Sequence, residues 1–97
     1  MAKYVYLYKG GGTPASEEES KRLLAAWQRW LGGLDGDLID AGNPFGASTA
    51  VGGSTSGISG YSIVDAASLD DAEAKTRGCP ILEGGRGSVE VYEAIPM

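Results

Sequence analysis

KYVYLYKGGG, residues 3–12, is the stretch whose reading decides the fold. As an extended strand it sends alternate side chains to opposite faces. Val5 and Leu7 then share one face, and Tyr4, Tyr6 and Tyr8 share the other. A sheet covered on one side only shows apolar residues alternating with polar ones. Here both sides are apolar or amphipathic, so both need cover.

The elements that follow define a βαββαβ order. Ser16-x-x-Glu19 forms a capping box, and Glu17, Glu18 and Glu19 sit at the positive end of the helix it opens. Glu17/Lys21 and Glu18/Arg22 stand four apart in the favourable order. Leu23, Leu24, Trp27, Trp30, Leu31 and Leu34 recur at helical spacing as a wide apolar stripe, which reads as core. Residues 37–42 and 60–65 are expected as the second and third strands. Ser68 caps a second helix with Asp70 and Asp71 in its first turn, Lys75 and Arg77 in its last and Gly78 beyond it. Residues 88–95 alternate as the fourth strand.

That order is the ferredoxin-like α+β plan, an antiparallel four-stranded sheet with two helices on one face. Right-handed crossovers place strands one and three in the centre. Val5 and Leu7 are expected to meet the helices with Val64, Val89 and Val91. All five tyrosines, Tyr4, Tyr6, Tyr8, Tyr61 and Tyr92, are then expected on the helix-free face beside Ile63. Soluble monomers rarely expose such a patch. The expected cover is a second copy packed sheet to sheet, with a polar-tipped cavity between the two sheets.

Composition narrows the function. The 97 residues suit a single domain, residues 1–97. Eight basic residues against 13 acidic give a net charge of −5, which argues against nucleic-acid and anionic-membrane partners. The absence of a long apolar run or an apolar leader makes a cytoplasmic protein the expectation. The chain has no histidine and one cysteine, Cys79. Ser–His and Cys–His nucleophile pairs are therefore impossible within it, as are zinc sites of the usual donors. Neither a metal nor an organic cofactor is expected. Cys79 follows a helix C-terminus, where partial negative charge disfavours a thiolate, and reads as a small buried residue.

Residues 42–60, GNPFGASTAVGGSTSGISG, hold six glycines, four serines and two threonines. A hairpin with strands over 48–51 and 54–56, turning at Gly52-Gly53, is the simpler expectation. The alternative is an anion cradle of backbone N–H groups, although the stretch lacks the P-loop pattern.

Residues 42–49 (GNPFGAST), 60–72 (GYSIVDAASLDDA), 78–82 (GCPIL) and 87–93 (GSVEVYE), with KYVYLY at the start, resemble the YCII-related family and its DGPF-like branch. The resemblance spans roughly residues 3–95 and implies a ferredoxin-like subunit in a dimeric α/β barrel. It brings no defined activity. Ala26-Trp27 stands where one branch carries a histidine, and residues 54–58 replace the Asp-Gly-Pro-Phe signature, so no catalytic residue carries over.

Two functions remain as expectations, beside a purely structural dimer with no pocket. One is a small-molecule-binding homodimer joined through the helix-free face, with ligand contacts from Tyr6, Tyr8, Asn43, Ser48, Thr49, Tyr61 and Tyr92. The other is a cofactor-free dimeric-barrel enzyme, a lyase, isomerase or oxygenase. Its acid–base candidates are Asp40, Asp65 and Glu90, with Asp40 and Asp65 as a carboxylate pair near the sheet ends. An enzyme needs a buried carboxylate or a tyrosine of lowered pKa within reach of the cavity.

Overall fold

A computed structural model describes residues 1–11 and 14–97. Gly12, the last residue of the quoted stretch, lies outside the described residues. Strand β1 (Ala2–Gly10) is central, pairing antiparallel with β3 (Ile58–Ala66) on one side and β4 (Gly87–Ala94) on the other. The short β2 (Leu38–Asp40) edges β3, giving the order β2-β3-β1-β4. Helices α1 (Glu17–Leu34) and α2 (Leu69–Ala74) pack on one face, as the ferredoxin-like plan requires. No helix of the described residues is long and apolar enough to cross a membrane.

Local chemistry starts each helix where the residues indicate. Ser16 Oγ accepts from the Glu19 amide at 3.1 Å, and the Glu19 carboxylate reaches back to the Ala15 amide at 3.2 Å. Ser68 Oγ accepts from the Asp71 amide at 3.0 Å and opens α2 in the same way. Arg22 does not use Glu18; it pairs with Glu83 at 3.0 Å and Glu19 at 4.0 Å. Trp30 and Leu34 are buried, Trp27 and Leu31 half-buried, and Leu24 is exposed.

The alternation of β1 is as expected, but its faces are reversed. Tyr4, Tyr6 and Tyr8 are buried under the helices: Tyr8 lies 5.0 Å from Trp27 and Tyr6 lies 6.1 Å from Trp30, ring centre to ring centre. Val64, Val89 and Val91 share that side, as expected, whereas Val5 and Leu7 lie on the helix-free face with Tyr61, Ile63 and Tyr92. The tyrosines are therefore split three and two. Two physical reasons account for the reversal. Lys3 and Lys9 share the parity of Val5 and Leu7, and a lysine is almost never fully buried unless paired. Opposite Tyr4, Tyr6 and Tyr8, β3 supplies Val64, Ser62 and Gly60, which leave room for large rings.

The expected hairpin does not form either. A Pro44–Gly60 bridge and a 2.8 Å bond from the Phe45 amide to the Ser59 carbonyl extend the pairing of β2 with β3. Beyond them residues 46–57 are exposed and contain no strand. Their Gly, Ser and Thr side chains offer no apolar face to bury, and Val51 stands 98% exposed.

Candidate ligand-binding cleft

Tyr8 ends the row of buried rings on β1 and forms the floor of a cleft of about 390 Å³. Leu24, Trp27 and Leu31 of α1 make one wall. The segment from Ala41 to Pro44, leaving β2, makes the other. Trp27 meets the Tyr8 ring edge to face, 76° between planes, and meets Trp30 in the same manner at 5.8 Å. No acidic or basic residue lines this cleft.

Two glycines let the walls approach the strand. Gly42 has φ +77°, and a Cβ there would stand 1.6 Å from the Tyr61 carbonyl oxygen. A Cβ on Gly60 would lie 3.1 Å from the Asn43 carbonyl oxygen and 3.7 Å from the Tyr8 ring. Gly42 leaves no room for a side chain, and Gly60 leaves only a tight fit for one.

The cleft's polarity comes from hydroxyls. Tyr8 donates to Ser62 Oγ at 2.8 Å, and Ser62 donates to the Ala41 carbonyl at 2.7 Å. Ser59, the extra residue of a bulge between β1 and β3, donates to the Tyr8 carbonyl at 3.1 Å. Tyr61 donates to Asp40 Oδ2 at 3.3 Å, and Asp40 Oδ1 accepts from the Gly42 amide at 2.8 Å. Burial pushes the Tyr8 phenol well above its ordinary pKa and the Tyr6 phenol up to about 12. Both stay protonated near neutrality, which makes them donors and not bases.

Of the residues expected to contact a ligand, the fold brings Tyr8, Asn43 and Tyr61 to this cleft. Tyr6 lies deeper, its hydroxyl committed to the Ala72 carbonyl. Ser48 borders a separate shallow hollow of about 350 Å³ with Phe45 and Ile58. Thr49 is exposed and lines neither. Tyr92 sits across the sheet and donates to Glu90 at 2.5 Å.

The carboxylates also separate. Asp40 lies beside Tyr61 opposite Ile63, and Asp65 lies opposite Lys3 on the helix-free face. Glu90 is bound by Tyr92 and by Lys9 at 3.3 Å, contacts that hold its carboxyl below the usual range. Among the described residues no three acidic or thiol groups gather to hold a metal ion. Cys79 is buried and desolvation raises its thiol to about 11, so it is not poised as a nucleophile.

Ser62, Ser59 and Trp27 belong to the cleft without having been singled out as ligand contacts. Ser62 did carry a signal: it is a polar residue at the parity of Gly60 and Val64, the core side of β3. On the far side of Leu24 and Trp27 a second depression of about 420 Å³ is walled partly by Glu19, Arg22 and Glu83, charges that satisfy one another.

Sheet order, helix placement and cleft define a ferredoxin-like α+β fold with a preformed, uncharged pocket. No family model and no curated protein matches the chain. Among solved structures it is similar to the 5-chloro-2-hydroxyhydroquinone dehydrochlorinase of Burkholderia phenoliruptrix AC1100, solved in complex with 2,5-dihydroxybenzoquinone. The match has a TM-score of 0.61 and 21% identity, and covers 93% of this chain and 90% of the other. The two share a fold.

Proposed function

We propose that this chain is a YCII-related small-molecule-binding protein that takes a neutral ring compound in the cleft beside Tyr8. The observation that carries the reading is the lining itself: aromatic and aliphatic walls, four hydroxyl residues and no charge. A volume of about 390 Å³ falls within the range of ligand pockets, roughly 300–1,000 Å³. The dehydrochlorinase of similar fold was solved with 2,5-dihydroxybenzoquinone, a ring compound of a size that suits such a space. The pocket lies on the helix side of the sheet and not between two sheets, so Tyr8 and Asn43 remain as proposed side-chain contacts, with Tyr61 bordering the space from β3.

A homodimer through the helix-free face belongs to the same reading. Val5, Leu7, Ile63, Tyr61 and Tyr92 share that face, with the Lys9–Glu90 pair and the Lys3/Asp65 register pair flanking them. The net charge of −5 supports the lack of nucleic-acid and anionic-membrane partners, and a cytoplasmic setting is proposed with it. Native mass spectrometry of protein purified gently from its own cells tests both parts. A dimer carrying extra mass is expected; a bare monomer that takes up no added ring compound would overturn the reading.

One position supports an enzymatic alternative. Asp40 accepts from the Tyr61 hydroxyl and directly precedes the Ala41–Pro44 wall, so it is the candidate carboxylate closest along the chain to the cleft. Turnover of any ring substrate that survives Asp40→Asn unchanged would remove that alternative.

A further inference from the structure

We infer that the cleft selects ring compounds that donate a hydrogen bond over those that only accept one; the inference rests on the binding reading above. A carbonyl or carboxylate oxygen can only accept, so each hydroxyl bonded to one has its single proton committed there. Ser62 is committed to the Ala41 carbonyl, Ser59 to the Tyr8 carbonyl and Tyr61 to Asp40. With the Ser62 proton spent, the Tyr8–Ser62 bond at 2.8 Å exists only if Tyr8 donates. The hydroxyls of Tyr8, Ser59 and Ser62 at the cleft, and that of Tyr61 across the sheet, have therefore used their protons inside the protein. What they keep is lone pairs.

The oxygens of Tyr8 and Ser62 are the buried acceptors among these, on residues 5% and 1% exposed. Asn43, exposed at the mouth, and Trp27, half-buried in the α1 wall, carry the lining side-chain N–H groups able to donate, so the selection is made at the floor and not over the whole cleft. A ligand O–H or N–H reaching the floor completes the chain ligand to Tyr8 to Ser62 to Ala41. A ligand with only a ring nitrogen or ether oxygen there sets lone pair against lone pair, and both acceptors stay unpaired out of water. The absence of charged lining residues confines the class to neutral molecules: phenols, anilines and N–H heteroaromatics.

Indole and quinoline separate donor from acceptor on bicyclic rings of similar size. Isothermal titration of the full chain with each, in neutral buffer, is expected to give indole the tighter binding by roughly tenfold, the scale of one net hydrogen bond. Tyr8→Phe removes the acceptor and is expected to bring the two affinities within about twofold. Ser62→Ala is a second, independent variant: it frees the Tyr8 proton, and quinoline is expected to gain several-fold while indole does not. Circular dichroism confirms that each variant is folded. Equal binding of both compounds by the native chain would overturn the inference and leave the binding reading standing. Preference for indole that persists in both variants would also overturn it. Binding of neither compound would overturn the inference together with the proposed ligand class.

Discussion

The hydroxyl of Tyr6, in the middle of β1, donates to the carbonyl of Ala72 in α2 at 2.5 Å, with both residues fully buried. Helix α2 is only six residues long, and its last carbonyls lack partners within it. The chain tightens there to bonds from Thr76 to Glu73 and Arg77 to Ala74. Tyr6 takes the Ala72 carbonyl, and Trp30 Nε1 takes that of Lys75 at 3.2 Å. A strand and a helix thus finish a helix too short to finish itself.

Tyr6→Phe keeps the ring and deletes that donor. A buried carbonyl left without a partner costs about 1–2 kcal/mol. Urea unfolding should show a midpoint lowered accordingly with an unchanged slope, and an unshifted midpoint would deny the contact its role.

Gly42→Ala and Gly52→Ala form a controlled comparison, because the two glycines have nearly the same φ, +77° and +79°. At Gly52 a Cβ meets nothing within 4 Å, so the cost should be that of the left-handed backbone alone, about 1 kcal/mol. At Gly42 the Cβ would collide with the β3 backbone, and a loss of about 3 kcal/mol or more is expected. Equal melting points for the two variants would contradict the described approach of the cleft wall to β3.

Alkali should unfold the protein through buried acids. Burial raises Cys79 from 9.0 to about 11 and Tyr6 from 10.0 to about 12. Above pH 9.0 the unfolded chain releases protons that the folded one retains, so stability present below that pH is lost as pH rises toward 12. Cys79→Ala should shift the onset to higher pH, toward the ordinary tyrosine range. A stability profile level through pH 11 would contradict this account.

The acid limb should report Asp71. The Ala67 amide, then Lys75 at 2.9 Å, hold its carboxyl below the usual range. A lowered folded-state pKa adds stability above the ordinary carboxylate pKa, and that stability is lost as pH falls through the folded value. Asp71→Asn should be less stable than the native chain at neutrality and should converge with it in acid. Parallel pH profiles would exclude Asp71 as a source of the acid limb.

Much of the fold was legible because its signals are local. Ser16 and Ser68 announce their helices through bonds that reach only three residues along the chain. The order of elements then leaves few topologies for a sheet of four strands. The candidate cleft was partly legible: Tyr8, Asn43 and Tyr61, expected as ligand contacts, border it, and so do Trp27 and Ser62, which were not expected as contacts. Trp27 sits in an apolar stripe whose spacing cannot say which of its residues reaches core and which lines a gap. The hairpin failed for the converse reason, since glycine-rich chain permits a turn without supplying side chains that hold strands together.

The residues alone determined that Tyr4, Tyr6 and Tyr8 share one face of a central strand and Val5 and Leu7 the other, because alternation is a property of extended backbone. Only the tertiary structure decided which of those faces the helices cover. That choice depends on the volume left by Gly60, Ser62 and Val64 on the neighbouring strand, and on Trp27 and Trp30 from a helix packed above it. Long-range fit set the side that was buried, and with it the place of the cleft.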